Sequence, residues 1–292
     1  MEKKLWVSAA AISDKGCHRD NNEDNFDLNG VVMPLEKMDA GAKLKCSVPL
    51  EHDQLYAVCD GMGGEEAGEV ASYTSALTMS LLKEFSPESD VQTEIDALSA
   101  TANIAVYRKA EEKRISSGST MVCAALHEGR MTVANIGDSR AYLLRDGELV
   151  QLSHDHSEAQ QLVDRGFVTQ EEARTLAESH TVTRYLGVDP DEYTVEATFA
   201  DEFEPKEGDF LLLCSDGLTD MLTDDEIQKT IEPKAGAPEN AKRLVQKAKA
   251  AGGRDNVTVV LLKVERHQTF GGWLRGLMGK PPKKGEEKDV SI

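Results

Sequence analysis

Acidic residues recur in this sequence where an apolar run meets a glycine turn, and this pattern could carry chemistry. Apolar residues 55–59 lead to Asp60, which is followed by Gly61, Gly63 and Gly64. Glycine lets the backbone turn sharply and approach a ligand closely, and a carboxylate at the end of a rigid strand is held as a metal ligand must be. By itself, Asp-Gly is most often a simple turn, so the interpretation depends on how often the pattern recurs.

The pattern does recur, and an arginine stands near one example. Five further acidic residues lie at an apolar segment or in a polar turn: Asp216 after residues 210–214, Asp255 before residues 257–264, Asp138 in a Gly-Asp turn, and Glu23 and Asp24 in the loop that holds Arg19. If the strand ends converge, these carboxylates cannot all stay ionised without cations. Oxygen ligands, with no cysteine or histidine at the matching positions, favour Mg²⁺ or Mn²⁺ over Zn²⁺.

Two such ions would activate a bridging water for an in-line displacement. The guanidinium of Arg19 would bind the phosphoryl group through paired hydrogen bonds. The residues therefore predict hydrolysis of phosphoesters without a covalent intermediate.

The elements that must position these residues alternate between strand and helix patterns. Strands are predicted from the N-terminus to Ile12 and over residues 55–60, 121–126, 131–136, 141–144, 193–199, 210–214 and 257–264; helices are predicted over residues 66–85, 91–115, 158–164, 170–177 and 238–250, with a short helix after the capping box at 223–226. Tight turns between residues 121 and 144 indicate a meander in an antiparallel sheet. We expect residues 30–52 to form an irregular connection or hairpin.

Composition sets broad limits on function and location. The chain has 292 residues, enough for one large or two small domains, and a formal net charge of −19, which disfavours non-specific binding to nucleic acid. Its five cysteines include no CxxC pair, so we expect a reducing, cytoplasmic location without disulfides or structural zinc. No stretch approaches the ~18 apolar residues of a membrane span.

A polar segment over residues 153–183 interrupts the strand pattern. We expect it to be mobile and to lie at the edge of a site. It contains His154, His156 and His180, which share no paired ligand spacing and are interpreted as surface or capping residues.

Six motifs occur in an order that closely resembles the metal-dependent serine/threonine protein phosphatases, the PPM or type 2C family, in its bacterial style. They are Arg19 with Asn22-Glu23-Asp24, residues 58–64, Gly118-Ser119-Thr120, Gly137-Asp138-Ser139-Arg140, Ser215-Asp216-Gly217-Leu218 and Asp255-Asn256-Val257-Thr258. The resemblance covers about residues 7–263. It implies an α+β fold, a four-layer α-β-β-α sandwich with two central antiparallel sheets flanked by helices.

The resemblance also implies a domain organisation. Residues 1–265 would form the phosphatase catalytic domain, with residues 153–183 as a flap that borders the site. Residues 266–292 would be a basic tail, disordered or docking to a partner or an anionic membrane surface.

Residue roles follow from the matching motif positions. Asp60 resembles the ligand that bridges two Mn²⁺ or Mg²⁺ ions, Gly61 resembles the carbonyl ligand of one ion, and Asp216 and Asp255 resemble the ligands of the other. Glu23 and Asp24 resemble the residues that hold metal-bound waters. Arg19 resembles the arginine that binds substrate phosphate, and Asp138 resembles a ligand of a third, weaker metal that is shared with Asp216. Many eukaryotic members carry a histidine where this chain has Met62. A water near Asp138 is therefore the candidate general acid.

The implied function is hydrolysis of phosphoserine and phosphothreonine on proteins, opposing a serine/threonine kinase in bacterial signalling, by a monomer. The alternative is a catalytically silent relative that acts as a binding or scaffold module. Such a relative should lack Arg19 or one of the metal ligands, whereas this sequence retains all of them.

Overall fold

The protein is described by a computed structural model that covers residues 4–63, 67–86, 89–174, 176 and 181–266. Within these residues the strands are β1 (Leu5–Asp14), β2 (Asp24–Leu28), β3 (Ala42–Pro49), β4 (Gln54–Gly63), β5 (Ser117–Ser119), β6 (Met121–His127), β7 (Arg130–Ile136), β8 (Arg140–Arg145), β9 (Glu148–Gln151), β10 (Thr198–Phe199), β11 (Phe210–Cys214) and β12 (Val257–Arg266). Its helices are α1 (Gly68–Met79), α2 (Val91–Lys113), α3 (Glu158–Asp164), α4 (Gln170–Ala173), α5 (Asp216–Thr219), α6 (Asp224–Thr230) and α7 (Ala237–Ala250), with a 3₁₀ helix at Leu35–Ala40.

The strands form two antiparallel sheets. The first has the order β3-β1-β12-β11-β8-β9, and the second has the order β10-β7-β6-β4-β2, with β5 paired to β4. β1 pairs with β12 over ten residues, from Leu5 opposite Arg266 to Asp14 opposite Val257. The N- and C-terminal strands are therefore neighbours in the middle of one sheet.

Alternation of side chains along each strand builds the layers, because successive side chains point to opposite faces. In β4, Tyr56 and Val58 lie in the core between the sheets, whereas Leu55, Ala57 and Cys59 pack under α1 and α2. On the other sheet, α5, α6 and α7 cover an outer core that is separate from the shared one. The expected four-layer α-β-β-α sandwich is confirmed.

The predicted meander is wrong at one connection. β6 and β7 form a hairpin, but β7 belongs to the second sheet and β8 to the first. The chain crosses between the sheets at residues 137–139, where Gly137 has a φ of +101° and leaves no room for a Cβ beside Thr120. The hairpin partner of β8 is β9, for which no strand was predicted.

Other elements and boundaries also differ from the prediction. Residues 42–49, expected to be irregular, form the edge strand β3, which alternates exposed Lys43 and Lys45 with partly buried neighbours. Only Thr198–Phe199 of the strand expected at 193–199 pairs with β7. Helix α1 ends at Met79 rather than at residue 85, and the 67% exposed Leu81 shows that the apolar face is no longer covered there.

No helix in the part of the chain that the structure describes has both the length and the hydropathy of a membrane span. The expected tail is outside the described residues apart from Arg266, which ends β12.

Candidate active site

The inner faces of both sheets become polar at one end of the sandwich. Asp60 continues the inward face of β4 after Tyr56 and Val58, and it lies opposite Asp24 in the register of β2 with β4. Between β5 and β6, the Thr120 hydroxyl accepts a hydrogen bond from Asp60 N at 3.0 Å, and Thr120 N donates to Asp60 O at 2.8 Å. The position of Asp60 is therefore fixed by two hydrogen bonds of its backbone.

A layer of small hydroxyl side chains supports these carboxylates. The Ser215 hydroxyl donates to Asp24 Oδ2 at 2.7 Å and accepts from Thr258 N at 3.0 Å. The Thr258 hydroxyl donates to Ser13 at 2.8 Å, which links strands β1, β11 and β12. Their role could have been predicted from the sequence, because each lies two residues from an inward apolar side chain: Ala11, Leu213 or Val260.

Asp216 begins the single-turn helix α5 directly after β11, with Ser215 as its N-cap residue. Gly217 is required here, because a Cβ would come within 1.9 Å of Asn256 O. The close approach of these two chain segments brings Asp216 and Asp255 to the same edge.

The loop with Arg19 is tied to the start of β12. Arg19 Nη2 donates to Asp255 Oδ2 at 2.6 Å, and this hydrogen bond raises the pKa of the guanidinium. The side chain of Asn256 accepts from Glu23 N at 2.7 Å and donates to Asn21 O at 2.9 Å. Asn256 thus positions Glu23, a role that the motif alone did not reveal.

Asp138 lies in the crossover between the sheets and is held by the flap. His156 Nδ1 accepts from Gly137 N at 3.0 Å, and burial lowers the pKa of His156 to about 4, which keeps the ring neutral. His154 contacts Asp164 at 2.9 Å on the surface. Neither histidine lines the cavity described below, and His180 lies outside the described residues.

The edge encloses a cavity of about 690 Å³. Among its lining residues in the described part of the chain, the charged side chains are Arg19, Glu23, Asp60, Asp138, Asp216, Asp220, Arg254 and Asp255. Six carboxylates against two arginines give this lining a formal charge of −4, which two divalent cations would balance. Gly61, Met62 and Thr120 also face the cavity, whereas Asp24 is fully buried outside its lining.

The raised pKa values of the carboxylates at this edge favour binding of a cation. Burial, reinforced by neighbouring aspartates, raises the pKa values of Asp60 and Asp216 well above the usual range. Burial raises the pKa values of Asp24 and Asp138 to about 7. These directions follow from the cost of crowding ionised carboxylates in a low-dielectric site.

The donor set fits hard divalent cations. Asp24 Oδ1 and Asp216 Oδ1 are buried and have no hydrogen-bond partner among the described residues. Buried polar atoms are normally paired, so an unpaired oxygen needs a ligand or an ion. Among the described residues, no three His, Cys, Asp or Glu side chains lie close enough together to coordinate one metal ion in this conformation. Asp255, for example, is turned toward Arg19.

Gly61 could supply the carbonyl ligand, and only glycine fits at this position. A Cβ on Gly61 would lie 2.0 Å from Gly68 O and 2.7 Å from Glu23 O. This close packing joins the end of β4, the start of α1 and the Glu23 loop.

The flap closes one side of the cavity through Thr181 and Val182. It is anchored at both of its described ends: Arg140 forms a buried ion pair with Asp155 at 2.6 Å, and Ser157 pairs with Val182 in an isolated bridge. Residues 175 and 177–180, which include His180, are outside the described part of the flap.

Comparison with known proteins agrees with this geometry. Residues 28–257 match the family described as Protein phosphatase 2C. The chain is 38% identical over 262 residues to the serine/threonine protein phosphatase PstP of Mycobacterium tuberculosis, covering 89% of this chain but 45% of that protein. It is 35% identical over 269 residues to the serine/threonine phosphatase stp of Listeria monocytogenes, covering 89% of this chain and 96% of that protein.

Solved structures show the same fold. The catalytic domain of PstP in complex with two manganese ions has a TM-score of 0.72 and 35% identity, covering 89% of this chain and 99% of that chain. The structure of the Mycobacterium tuberculosis phosphatase PstP/Ppp has a TM-score of 0.74 and 34% identity, covering 89% of this chain and 100% of that chain. The resemblance seen in the motifs is confirmed, and the chain belongs to the protein phosphatase 2C family.

Proposed function

We propose that this protein is a metal-dependent protein serine/threonine phosphatase. The observation that carries the proposal is the pair of buried, unpartnered carboxylate oxygens on Asp24 and Asp216, beside a cavity lining whose charge of −4 matches two divalent ions. The relatives named as serine/threonine phosphatases, and the PstP structure with two manganese ions, support the same chemistry.

The residues proposed to hold the ions are those that the motifs predicted. Asp60 and the Gly61 carbonyl would hold one Mn²⁺ or Mg²⁺, and Asp60, Asp216 and Asp255 the other. Glu23 and Asp24 would act through water. When bound, such an ion pair lowers the pKa of a water and offsets the charge that develops on the phosphoryl group.

The side chains of this protein would orient the substrate and hold the proposed metal ligands in position. Arg19 would turn its guanidinium from Asp255 to the phosphoryl oxygens, for which its planar donors are suited. Thr120 and Ser215 hold Asp60 and Asp24 in place through the hydrogen bonds described above. Met62 faces the cavity without a proton to donate, and we propose that the leaving oxygen takes its proton from a water near Asp138.

We propose a third, weaker cation site at Asp138, shared with Asp216, because both carboxylates line the cavity and the charge of Asp138 raises the pKa of Asp216. Mn²⁺ binding measured by electron paramagnetic resonance should show two tight ions and one weak ion. Asp138→Asn should remove the weak ion. Unchanged stoichiometry in this variant would refute the third site.

The substrates would be phosphoserine and phosphothreonine in proteins, in opposition to a serine/threonine kinase, and the chain would act as a monomer. We place it in the cytoplasm, where its five free cysteines would stay reduced.

The experiment that tests the function is hydrolysis of an aryl phosphate and of a phosphothreonine peptide by purified protein, with Mn²⁺, with Mg²⁺ and with EDTA. We expect turnover of both esters that depends on the metal and stops in EDTA. Asp225→Asn on the exposed face of α6 is the matched control and should keep full activity. A folded protein without metal-dependent turnover would refute the proposal.

A further inference from the structure

A second, smaller cavity adjoins the catalytic one. It has a volume of about 120 Å³ and is formed between the flap and the turn that begins at Asp216. Its lining residues are Arg140, Asp155, Ser157, Ala159, Gln160, Gln170, Ala173, Arg174, Thr219, Asp220 and Arg254. Asp220 and Arg254 line both cavities, so the two spaces meet at these residues. We call this space the flap cavity.

The charge of the flap cavity is opposite to that of the catalytic cavity. Three arginines and two aspartates line it, a formal charge of +1 against −4 for the catalytic lining. Because the whole chain carries a net charge of −19, a positive lining next to the active site is a local exception. It favours an anionic group of a ligand at this place.

Two of the three arginines already have partners. Arg140 pairs with the buried Asp155 at 2.6 Å. Arg174 Nη2 donates to the carbonyl oxygens of Thr219 at 2.6 Å and Leu222 at 2.9 Å. These contacts join the flap to the body of the protein, and both guanidinium groups are committed to structure.

Arg254 differs from the other two arginines. It is exposed, and its side chain has no hydrogen bond or ion pair with any residue in the described part of the chain. It directly precedes Asp255, whose carboxylate pairs with Arg19 instead. Its guanidinium therefore stands at the junction of the two cavities with its donors open to a ligand.

We propose that Arg254 binds an anionic group on the substrate, next to the phosphorylated residue. The group is a carboxylate of Asp or Glu or a second phosphate, and the substrate chain runs from the catalytic cavity into the flap cavity. An extended chain advances about 3.3 Å per residue, so the anionic group belongs to one of the few residues that flank the phosphoresidue. This proposal rests on the proposed phosphatase function and names its preferred substrate class.

Peptide hydrolysis tests the proposal. Phosphothreonine peptides carry neutral residues at the three positions on each side, or a single Glu at each of these positions in turn. A parallel set carries a non-hydrolysable phosphonate analogue of phosphoserine, which separates the carboxylate from the phosphate source. The measured quantity is the ratio of kcat/KM for an anionic peptide to that for the neutral peptide.

For the wild-type protein we expect a ratio of roughly five to ten at one position, the size expected of a partly exposed charge-assisted contact. Arg254→Gln should bring the ratio to about one, and Arg254→Lys should restore part of it because the charge returns without the planar fork. Arg243→Gln on α7, where Arg243 pairs with Glu239, is the matched control and should keep the wild-type ratio.

Two results would overturn the proposal while the phosphatase function stands. One is a wild-type ratio near one at every position, and the other is an unchanged ratio in Arg254→Gln. Equal losses on all peptides and on an aryl phosphate would instead show a general role for Arg254 and also contradict the proposal. Absence of turnover on any ester by the wild-type protein would refute the phosphatase function and, with it, this inference.

Discussion

Replacing the buried carboxylate of Asp24 with an amide tests whether charge crowding at the site destabilises the metal-free protein. Asp24 is fully buried, its Oδ2 accepts from Ser215, and its Oδ1 has no partner among the described residues. Burial raises its pKa from 3.8 to about 7. Asp24→Asn keeps the shape and the acceptor for Ser215 but removes the charge.

The direction of the effect follows from proton binding. Between pH 4 and 7 the folded state holds a proton on Asp24 that the unfolded state has lost, because the folded pKa is the higher one. The free energy of unfolding therefore falls as the pH rises through this window. At 1.36 kcal/mol per pKa unit, the cost of ionising Asp24 in the folded state is on the order of 4 kcal/mol at pH 8, and more than half of it arises between pH 5 and pH 8.

The assay is urea unfolding in EDTA at pH 5 and pH 8. We expect the wild-type protein to lose more stability than Asp24→Asn over this interval, by roughly 2–3 kcal/mol, and the variant to be the more stable protein at pH 8. Asp225→Asn, an exposed carboxylate on α6, should follow the wild-type curve.

Adding Mn²⁺ should narrow the difference in stability between the variant and the wild-type protein at pH 8. A metal at 100 times its Kd stabilises the folded state by about 2.7 kcal/mol, and the variant should gain less because Asp24 no longer helps to hold the ion's water. If the free energy of unfolding in EDTA has the same pH dependence in the wild-type protein and in Asp24→Asn, the idea that charge crowding at this site destabilises the metal-free protein is refuted.

Other variants test separate parts of the site. Asp60→Asn should lower turnover of an aryl phosphate by roughly a thousandfold, because it damages both proposed metal positions; turnover near the wild-type level would remove Asp60 from the metal site. Arg19→Ala should raise KM for phosphate esters by about tenfold with a smaller change in kcat, and an unchanged KM would exclude it from the phosphate pocket. Arg174→Met removes the hydrogen bonds from the flap to the carbonyls of Thr219 and Leu222. It should therefore lower stability by about 1–2 kcal/mol and raise KM for peptides more than for aryl phosphate; equal effects on both substrates would contradict a role through the flap. Ending the chain after Arg266 should preserve both Tm and aryl phosphate turnover, and a large fall in Tm would show that residues beyond β12 support the core.

Local patterns in the sequence were enough to predict most elements around the site. Apolar runs that end in Asp-Gly predicted β4 and β11, and the capping box at Thr223 predicted the start of α6, where both reciprocal hydrogen bonds are present. The alternation in β3 was also present in the sequence, but lysines on its exposed face obscured it.

The convergence of the site residues depended on contacts between distant segments. Asp60 and Asp24 are neighbours because β2 and β4 pair, while Asp255 comes close to Arg19 across 236 positions of the sequence. The sequence could name these residues because the chemistry of a metal site restricts which side chains are useful. No sequence motif indicates Arg254. This residue is proposed as a binding residue because it lies between two cavities.

The sequence by itself determined which residue types stand at the strand ends, since the strand period and the glycine turns are local properties. Only the tertiary structure decided that the chain crosses from one sheet to the other at Gly137, which places Asp138 beside Asp216 rather than along a meander. It also decided the burial that raises the pKa values of these carboxylates, because desolvation depends on every segment that packs around a group.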